Sequence, residues 1–226
     1  MGSQIDWRIE PGTRFTSRAL LLGWLLTSLG IYGAWLRCQT AALSLSGPDL
    51  AEFAKFLPSV QNGLLHLHRQ FFHLPAFGLA VGLALLVNSP GLRFSTPARC
   101  LLVCLAALES LQLLPPAWSF ASLQAAEFRA QVVAVVVCWL MLIFSRVLGR
   151  LPLWFTGPVV GMTSILSATL SSGQLRAITP EVSALYGSSP IPGWGFWAAQ
   201  VGLLMLAAAS LWAPLGARAG ERKSGS

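Results

Sequence analysis

Residues 130–144 read AQVVAVVVCWLMLIF, fifteen consecutive residues without a charge, preceded by Arg129 and followed shortly by Arg146. Lipid provides no water for backbone groups, so such a stretch is stable across a bilayer only as a helix with internal hydrogen bonds. About 20 residues are needed to cross the hydrocarbon core, so the run must include part of its flanks. The pattern predicts a transmembrane helix over residues 130–147.

Five further apolar stretches lie on either side of this run. They cover residues 19–36, 71–87, 98–114, 151–170 and 195–213. The whole chain of 226 residues is 54% hydrophobic and 10% charged, whereas a soluble domain carries roughly 25% charged residues. We therefore expect an all-α integral membrane protein, built as one domain over residues 1–226 and consisting of six transmembrane helices.

The fifth stretch differs from the others because it contains helix-breaking residues. Pro152, Pro158, Gly157 and Gly161 all fall between residues 151 and 170. Lipid tolerates such breaks where neighbouring helices cover the freed carbonyl groups. We expect this segment either to cross as a kinked helix or to enter and leave on one side.

The distribution of Lys and Arg favours an even number of crossings. With six spans and both termini in the cytoplasm, ten basic residues lie inside and five outside; five spans give eight and seven. Basic residues accumulate on the cytoplasmic side. This predicts outer loops at 37–70, 115–129 and 171–194, a mobile tail at 216–226, and a plasma (inner) membrane location.

The net charge of +7 does not indicate a nucleic-acid partner. The basic residues stand singly or in pairs at the ends of the apolar runs. There they are typical of anchors at the membrane boundary. The partner that the sequence predicts is the lipid bilayer.

The first outer loop is predicted to contain a short amphipathic helix. Asp49 and Glu52 have the spacing of a capping box, and Phe53 and Phe56 follow at helical spacing before Pro58. The apolar face is suited to the lipid headgroups, to the helix bundle or to another subunit. In the third outer loop, Thr-Pro-Glu at 179–181 is typical of a second helix start.

Glu109 is an acidic residue inside the third predicted span, with Gln112 nearly one turn further on. A carboxyl group within a bilayer faces the bundle interior and marks a candidate functional site. It could take up a proton or cation during transport. Alternatively it hydrogen-bonds a neighbouring helix, for which Arg129, Gln131 and Gln200 are possible partners.

The three histidines, His66, His68 and His73, lie within eight residues. Two of them could supply nitrogen ligands to a metal or haem, with a third ligand from elsewhere. Alternatively they mark the headgroup boundary. Because the chain has no other histidine, two separate helices cannot each supply a histidine to a haem. No cofactor is expected.

The motif search favours a protein without catalytic activity of its own. The sequence contains no phosphate-binding loop, no Gly-x-Ser-x-Gly elbow and no His-Glu-x-x-His pair. The main hypothesis is a non-enzymatic membrane subunit that contacts partner subunits through its outer loops. The alternatives are a small-solute, proton or ion transporter that uses Glu109 and, less favoured, an outward-facing metal or haem protein.

Overall fold

The computed structural model describes residues 11–38, 42–92, 94–114, 119 and 123–224, and it is mostly helical (77%). Within these residues, four helical segments are long and apolar enough to cross a membrane. They are Arg69–Leu86, Ala126–Ile143, Leu153–Tyr186 and Trp194–Pro214. The protein is therefore a largely helical chain whose composition indicates integration into a membrane.

The helices are named here in chain order. They are α1 (Pro11–Tyr32), α2 (Gly47–Phe53), α3 (Pro58–Gln61), α4 (Leu74–Leu86), α5 (Thr96–Leu111), α6 (Arg129–Ile143), α7 (Ser145–Leu148), α8 (Leu153–Tyr186) and α9 (Trp194–Ser224). Short 3-10 turns cover Ala54–Phe56, Arg69–His73 and Ala126–Phe128. In the predicted second outer loop, 115–129, residues 115–118 and 120–122 lie outside the described residues.

The fifth predicted span is part of a single helix, α8, that continues far beyond its predicted end. It has 34 residues, about 51 Å at 1.5 Å per residue, whereas the hydrocarbon core is about 30 Å thick. Pro152 precedes the helix as its N-cap residue, and Pro158 and Pro180 are accommodated inside it. Residues 171–178, predicted as part of a loop, are therefore helical and connect the fifth span with the short helix predicted through Tyr186.

The predicted helix start at Thr179 is therefore wrong, because α8 runs through this residue. The Thr179 hydroxyl donates to the Leu175 carbonyl at 2.7 Å, as a hydroxyl inside a helix does, and α8 ends only at Gly187 with φ +65°. The left-handed conformation at this position is accessible to glycine without the steric cost that a side chain would add.

The last helix is also longer than predicted. Pro214 lies within α9 rather than ending it, and the helix continues to Ser224 through most of the predicted tail. Of that tail, residues 225 and 226 lie outside the described part of the chain. The first span is shifted in the other direction, since α1 begins at Pro11 and ends at Tyr32.

A small sheet departs from the expected all-α architecture. Strands β1 (Leu36–Cys38), β2 (Leu43–Leu45) and β3 (Ile191–Pro192) form it in the order β2-β1-β3, with antiparallel pairing throughout. The sheet joins the segment after α1 to the segment before α9. Two regions predicted as separate loops are therefore hydrogen-bonded to each other.

The apolar core has two parts. The larger lies among the long helices and is centred on α4, which is buried on all sides, as expected for a helix that is apolar around its whole circumference. The smaller lies at one end of the bundle, where residues 35–38 and 42–73 pack on residues 171–199. We call this second unit the cap.

The cap is organised around Trp35. Its indole N–H donates to the Gly30 carbonyl at 2.9 Å, and its ring meets Phe72 and Phe196 edge-on at centroid distances of 6.5 and 5.7 Å. The other fully or nearly buried apolar residues of this core are Leu36, Leu50, Ala51, Ala54, Leu57, Leu175, Ile178, Val182 and Ala199. The extension of α8 thus forms one wall of the cap.

Candidate functional site

The predicted capping box in the first loop is present, but three residues earlier than expected. Ser46 is the N-cap residue of α2; its hydroxyl accepts from the Asp49 N–H, and the Asp49 carboxylate accepts from the Ser46 N–H at 3.1 Å. Asp49 therefore has the role predicted for Glu52, and Ser46 has the role predicted for Asp49. Glu52 is left to interact with side chains instead.

The apolar face of α2 packs on the bundle. Leu50, Ala51 and Ala54 are buried in the cap core, while Phe53 is half-buried at its edge and Phe56 is 70% exposed. The sequence left open whether this face contacts the helix bundle, the lipid headgroups or another subunit. Different residues of the face have different surroundings. The helix is fixed to the rest of the protein, and Phe56 is available for contact with lipid or with another chain.

Glu52 belongs to a chain of ion pairs at the edge of the cap. Lys55 lies 2.6 Å from the Glu52 carboxylate and 3.5 Å from that of Glu127, and Arg69 lies 3.3 Å from Glu127. The Lys55 ammonium also lies 4.6 Å from the centre of the Phe128 ring, within the range of a cation–π contact. These contacts join the cap to the residues just before α6.

Both burial and these charged neighbours affect the pKa of the Glu52 carboxyl group. Partial burial raises the pKa of the Glu52 carboxyl group, the nearby positive charge of Arg69 acts in the opposite direction, and the net direction is upward. Burial therefore disfavours the charged form more than the surrounding cations favour it.

Glu109 is completely buried between α5 and α1. The Ser28 hydroxyl donates to its Oε1 atom. The other oxygen, Oε2, is buried without a hydrogen-bond partner among the described residues. The neighbouring Gln112 side chain interacts with the Tyr32 hydroxyl. A polar group of four side chains thus connects the two helices near the end that carries the cap.

The partner of Glu109 differs from the three that the sequence suggested. Gln131 contacts His73 instead, Gln200 donates to Ser171, and Arg129 is exposed. A possible signal for the true partner was present in α1, where Ser28 and Tyr32 are four residues apart and share a helix face. Nothing in the sequence, however, indicated which helix that face would meet.

The three histidines do not share one environment. His66 and His68 lie in an irregular segment and are exposed, whereas His73 is buried at the start of the α4 region. Within the described residues, no group of three His, Cys, Asp or Glu side chains is close enough to hold a metal ion. The metal or haem hypothesis stays a prediction.

His73 has a partner that was not anticipated. Its Nε2 atom lies 3.1 Å from the side-chain nitrogen of Gln131 in the first turn of α6. Both side chains are more than nine-tenths buried. The His73 Nδ1 atom and the Gln131 Oε1 atom have no hydrogen-bond partner in the described part of the chain.

Comparison with known proteins adds no assignment. No family model, no curated protein and no solved structure matches this chain. Function must therefore be argued from the residues themselves.

Proposed function

We propose that this chain is a non-enzymatic integral membrane subunit that contacts a partner membrane protein through its cap. The proposal includes six crossings of the plasma membrane, with both termini in the cytoplasm and the cap outside. The charge distribution along the sequence supports this orientation, because the basic residues then concentrate on the cytoplasmic side.

The observation that carries the proposal is that the predicted outer loops fold into a unit with an apolar core of its own. Residues more than 100 positions apart meet there, since Leu50 and Ile178 are both fully buried in the same cluster. Fixing backbone in one conformation costs about 1–2 kcal/mol per residue. A protein that needed only to connect its spans would not require such an ordered unit, which is suited to presenting a defined surface.

Phe56 and Leu64 are the most exposed of the large apolar side chains on this surface. Phe56 is 70% exposed and Leu64 is 81% exposed. Both lie in the cap rather than on the long helices, where exposed apolar residues are expected to face lipid. Aromatic side chains that are exposed and held on a rigid element are typical anchors of protein–protein contacts.

Site-specific photo-crosslinking in intact cells tests the contact. A benzophenone side chain at position 56 or 64 should give an adduct with one or two defined membrane proteins. The same group at Trp212, which is 65% exposed on α9 far from the cap, provides the control and should give none of these adducts. If positions 56 and 64 label only lipid, the cap rests on the headgroups and the proposal is wrong.

Matched variants test whether the contact with the partner depends on the cap. Phe56→Ser with Leu64→Ser should release the partner during purification in mild detergent while leaving the chain folded. Trp212→Ser should retain the partner. Loss of the partner with both variants would indicate that the contact depends on the bundle and not on the cap.

A second candidate function is proton or cation transport, and the Glu109 geometry favours it. The carboxyl group is fully buried in a helix bundle and has one oxygen free of protein partners within the described residues. Such an oxygen can accept a proton or contribute a ligand to a cation. Buried ionisable groups of membrane helices mark transport routes in many proteins.

Reconstitution into liposomes that contain the pH-sensitive dye pyranine tests this candidate. With an imposed potassium diffusion potential, the wild-type protein should carry protons, and Glu109→Gln should abolish the flux at equal protein content. Ser110→Ala is the matched control, because its hydroxyl bonds only the Ala107 carbonyl of its own helix. Equal flux in Glu109→Gln and wild type would exclude a role of this carboxyl group.

A further inference from the structure

A cavity of about 190 Å³ lies between the start of the α4 region, the end of α5 and the first turns of α6. Its surface is almost entirely hydrocarbon. His73 and Gln131 border it, but their atoms without a hydrogen-bond partner, Nδ1 and Oε1, are inaccessible from it. The cavity is therefore suited to an apolar occupant. The apolar residues that line it are Leu74, Phe77, Leu113, Ala130 and Ala134.

The cavity lies where the rest of the protein leaves α4 uncovered. Of the 13 residues of α4, all except Leu74 and Phe77 are buried, and these two line the cavity. On the opposite wall, Ala130 is exposed and Ala134 is half-buried, and their methyl groups are too small to reach across. The cavity is thus a groove on the outside of the bundle, and its occupant comes from the surroundings of the protein.

Two arginines show how deep the groove lies in the membrane. Its lining belongs mainly to Arg69–Leu86 and Ala126–Ile143, which are both long and apolar enough to cross a membrane. Arg69 and Arg129 lie near the cap ends of these segments, where basic side chains are typical of the headgroup level. Ala134 lies about 7.5 Å along the helix from Arg129, and the hydrocarbon of one leaflet is about 15 Å thick. The groove is therefore at the depth where acyl chains begin.

The volume of the cavity fits part of one hydrocarbon chain. A dry cavity of about 150 Å³ holds benzene, which has six carbon atoms, so 190 Å³ holds roughly six to eight carbon atoms on the same scale. A helix of another protein, about 10 Å across with its side chains, is too wide to enter. An empty groove would forfeit the van der Waals contacts of its lining, so a chain segment that fills it is stabilised there.

Arg129 provides a positive charge beside the groove. It directly precedes Ala130 of the lining, its side chain is exposed, and no salt bridge within the described residues involves it. Arg69, by contrast, is paired with Glu127. A guanidinium group binds phosphate oxygens through two parallel hydrogen bonds. An exposed arginine next to an apolar groove complements a phosphate group and an acyl chain of the same molecule.

We propose that the groove between α4, α5 and α6 binds a phospholipid, with the first part of one acyl chain in the cavity and the phosphate group on Arg129. The acyl chain covers Leu74 and Phe77, which the protein leaves uncovered. The site does not include Glu109 or the exposed residues of the cap. The proposal is therefore independent of the partner contact and of transport.

Photolabelling with a phospholipid tests the position of the chain. A phosphatidylcholine with a diazirine at carbon 6 of one acyl chain is added to the full chain in phosphatidylcholine nanodiscs, and labelled residues are identified by mass spectrometry. Leu74 and Phe77 should be labelled several-fold more than Val133, which is 61% exposed at the same depth but outside the groove. Equal labelling would indicate general contact with lipid and would overturn the proposal.

A second probe tests the phosphate contact. A diacylglycerol with the same diazirine chain should give a ratio of groove labelling to Val133 labelling that is about two- to fivefold lower, as expected for an exposed ion pair. Arg129→Gln should lower the ratio of the phospholipid probe to that of the diacylglycerol. Arg146→Gln removes an exposed arginine of α7 and should leave the ratio unchanged. If both probes give the same ratio in the wild type, no phosphate group is recognised and the phospholipid assignment is wrong.

Filling the groove tests whether the chain lies inside it. Ala134→Phe places a ring in the cavity and should reduce the labelling of Leu74 to the level of Val133. Val136→Phe adds the same ring at a 51% exposed position outside the cavity and should change nothing. Undiminished labelling of Leu74 in folded Ala134→Phe would show that the acyl chain runs elsewhere. If Ala134→Phe does not accumulate, the comparison of the two probes in the wild type decides the question.

Discussion

The two sides of the helix bundle are packed in different ways. On one side, α1 and α9 make the most extensive helix contact within the described residues, and glycines allow their backbones to approach. A methyl group at Gly30 would lie 2.3 Å from the Ala199 nitrogen, and one at Gly202 would lie 2.5 Å from the Thr27 nitrogen. We call this contact the glycine seam.

On the other side, where α5 and α6 lie, a much smaller part of α6 is covered by the rest of the protein. Only 17% of the Ala126–Ile143 segment is buried, compared with 72% of Arg69–Leu86. On this side lie the buried Oε2 atom of Glu109, Nδ1 atom of His73 and Oε1 atom of Gln131, which have no hydrogen-bond partner among the described residues. A cavity of about 190 Å³ lined by His73 and Gln131 is also on this side. Helices in lipid associate through close backbone contact at small residues, so the glycine seam is the tightly packed part of the bundle.

The largest effect is expected in the glycine seam. Gly30→Val would place a branched side chain against the Ala199 and Gly195 backbones, which cannot move without separating α1 from α9. Overpacking of this kind costs about 3 kcal/mol or more where no flexible side chain can yield. The free energy of unfolding, measured by SDS titration in mixed micelles, should fall by that amount or the protein should fail to accumulate.

Gly173 in α8 provides the control. A methyl group at this position meets no atom within 4 Å. Gly173→Ala should therefore leave the protein unchanged or stabilise it by up to about 1 kcal/mol, because alanine favours the helix. If Gly30→Val were tolerated as well as Gly173→Ala, the α1–α9 contact would not be the rigid part of the bundle.

A smaller effect is expected at the buried hydrogen bond between α1 and α5. Ser28→Ala removes the hydroxyl that donates to Glu109, leaving the carboxyl group without a partner among the described residues. The expected loss is about 1–3 kcal/mol in the same SDS titration. A loss of this size would show that the contact between α1 and α5 depends on one hydrogen bond, whereas the contact between α1 and α9 depends on close backbone packing.

The double variant Ser28→Ala with Glu109→Leu checks the explanation. Replacing both partners by apolar groups of similar shape is nearly neutral, so the double variant should be more stable than Ser28→Ala alone. A double variant that is less stable than Ser28→Ala would mean that Glu109 has another stabilising contact.

The sequence predicted the elements that depend on local composition. The apolar runs at 71–87, 130–147, 151–170 and 195–213 coincide with the four helical segments that are long and apolar enough to cross a membrane, whereas those at 19–36 and 98–114 do not. The segment at 151–170 is helical despite its prolines. The continuity of that helix up to Gly187 was missed because Thr179 and Pro180 are equally compatible with a helix start and with an interior proline. The choice is made by packing of Leu175, Ile178 and Val182 against the cap, which no local pattern contains.

The candidate sites show the same limit. Burial of Glu109 could be expected from its apolar neighbours, but its partner Ser28 is 81 residues away in the chain. His73 was grouped with His66 and His68 because of their proximity in sequence, while its contact, Gln131, is 58 residues away. The capping box was displaced because the spacing from Ser46 to Asp49 equals that from Asp49 to Glu52, and only backbone geometry distinguishes the two.

The smallest expected effect concerns the ion pairs that join the cap to the start of α6. Because burial raises the pKa of Glu52, the folded protein holds the proton more tightly than the unfolded chain does. The stability contributed by this group is present below the pKa of the unfolded chain, and it is lost as the pH rises through the higher pKa of the folded state. The wild type should therefore lose stability relative to Glu52→Gln between acid and neutral pH, by less than about 1 kcal/mol at this partly exposed site.

Thermal unfolding of both proteins in nanodiscs across this pH range measures the difference. If the wild type instead gains stability over Glu52→Gln as the pH rises, the ion pair between Glu52 and Lys55 outweighs the effect of burial on the Glu52 carboxyl group.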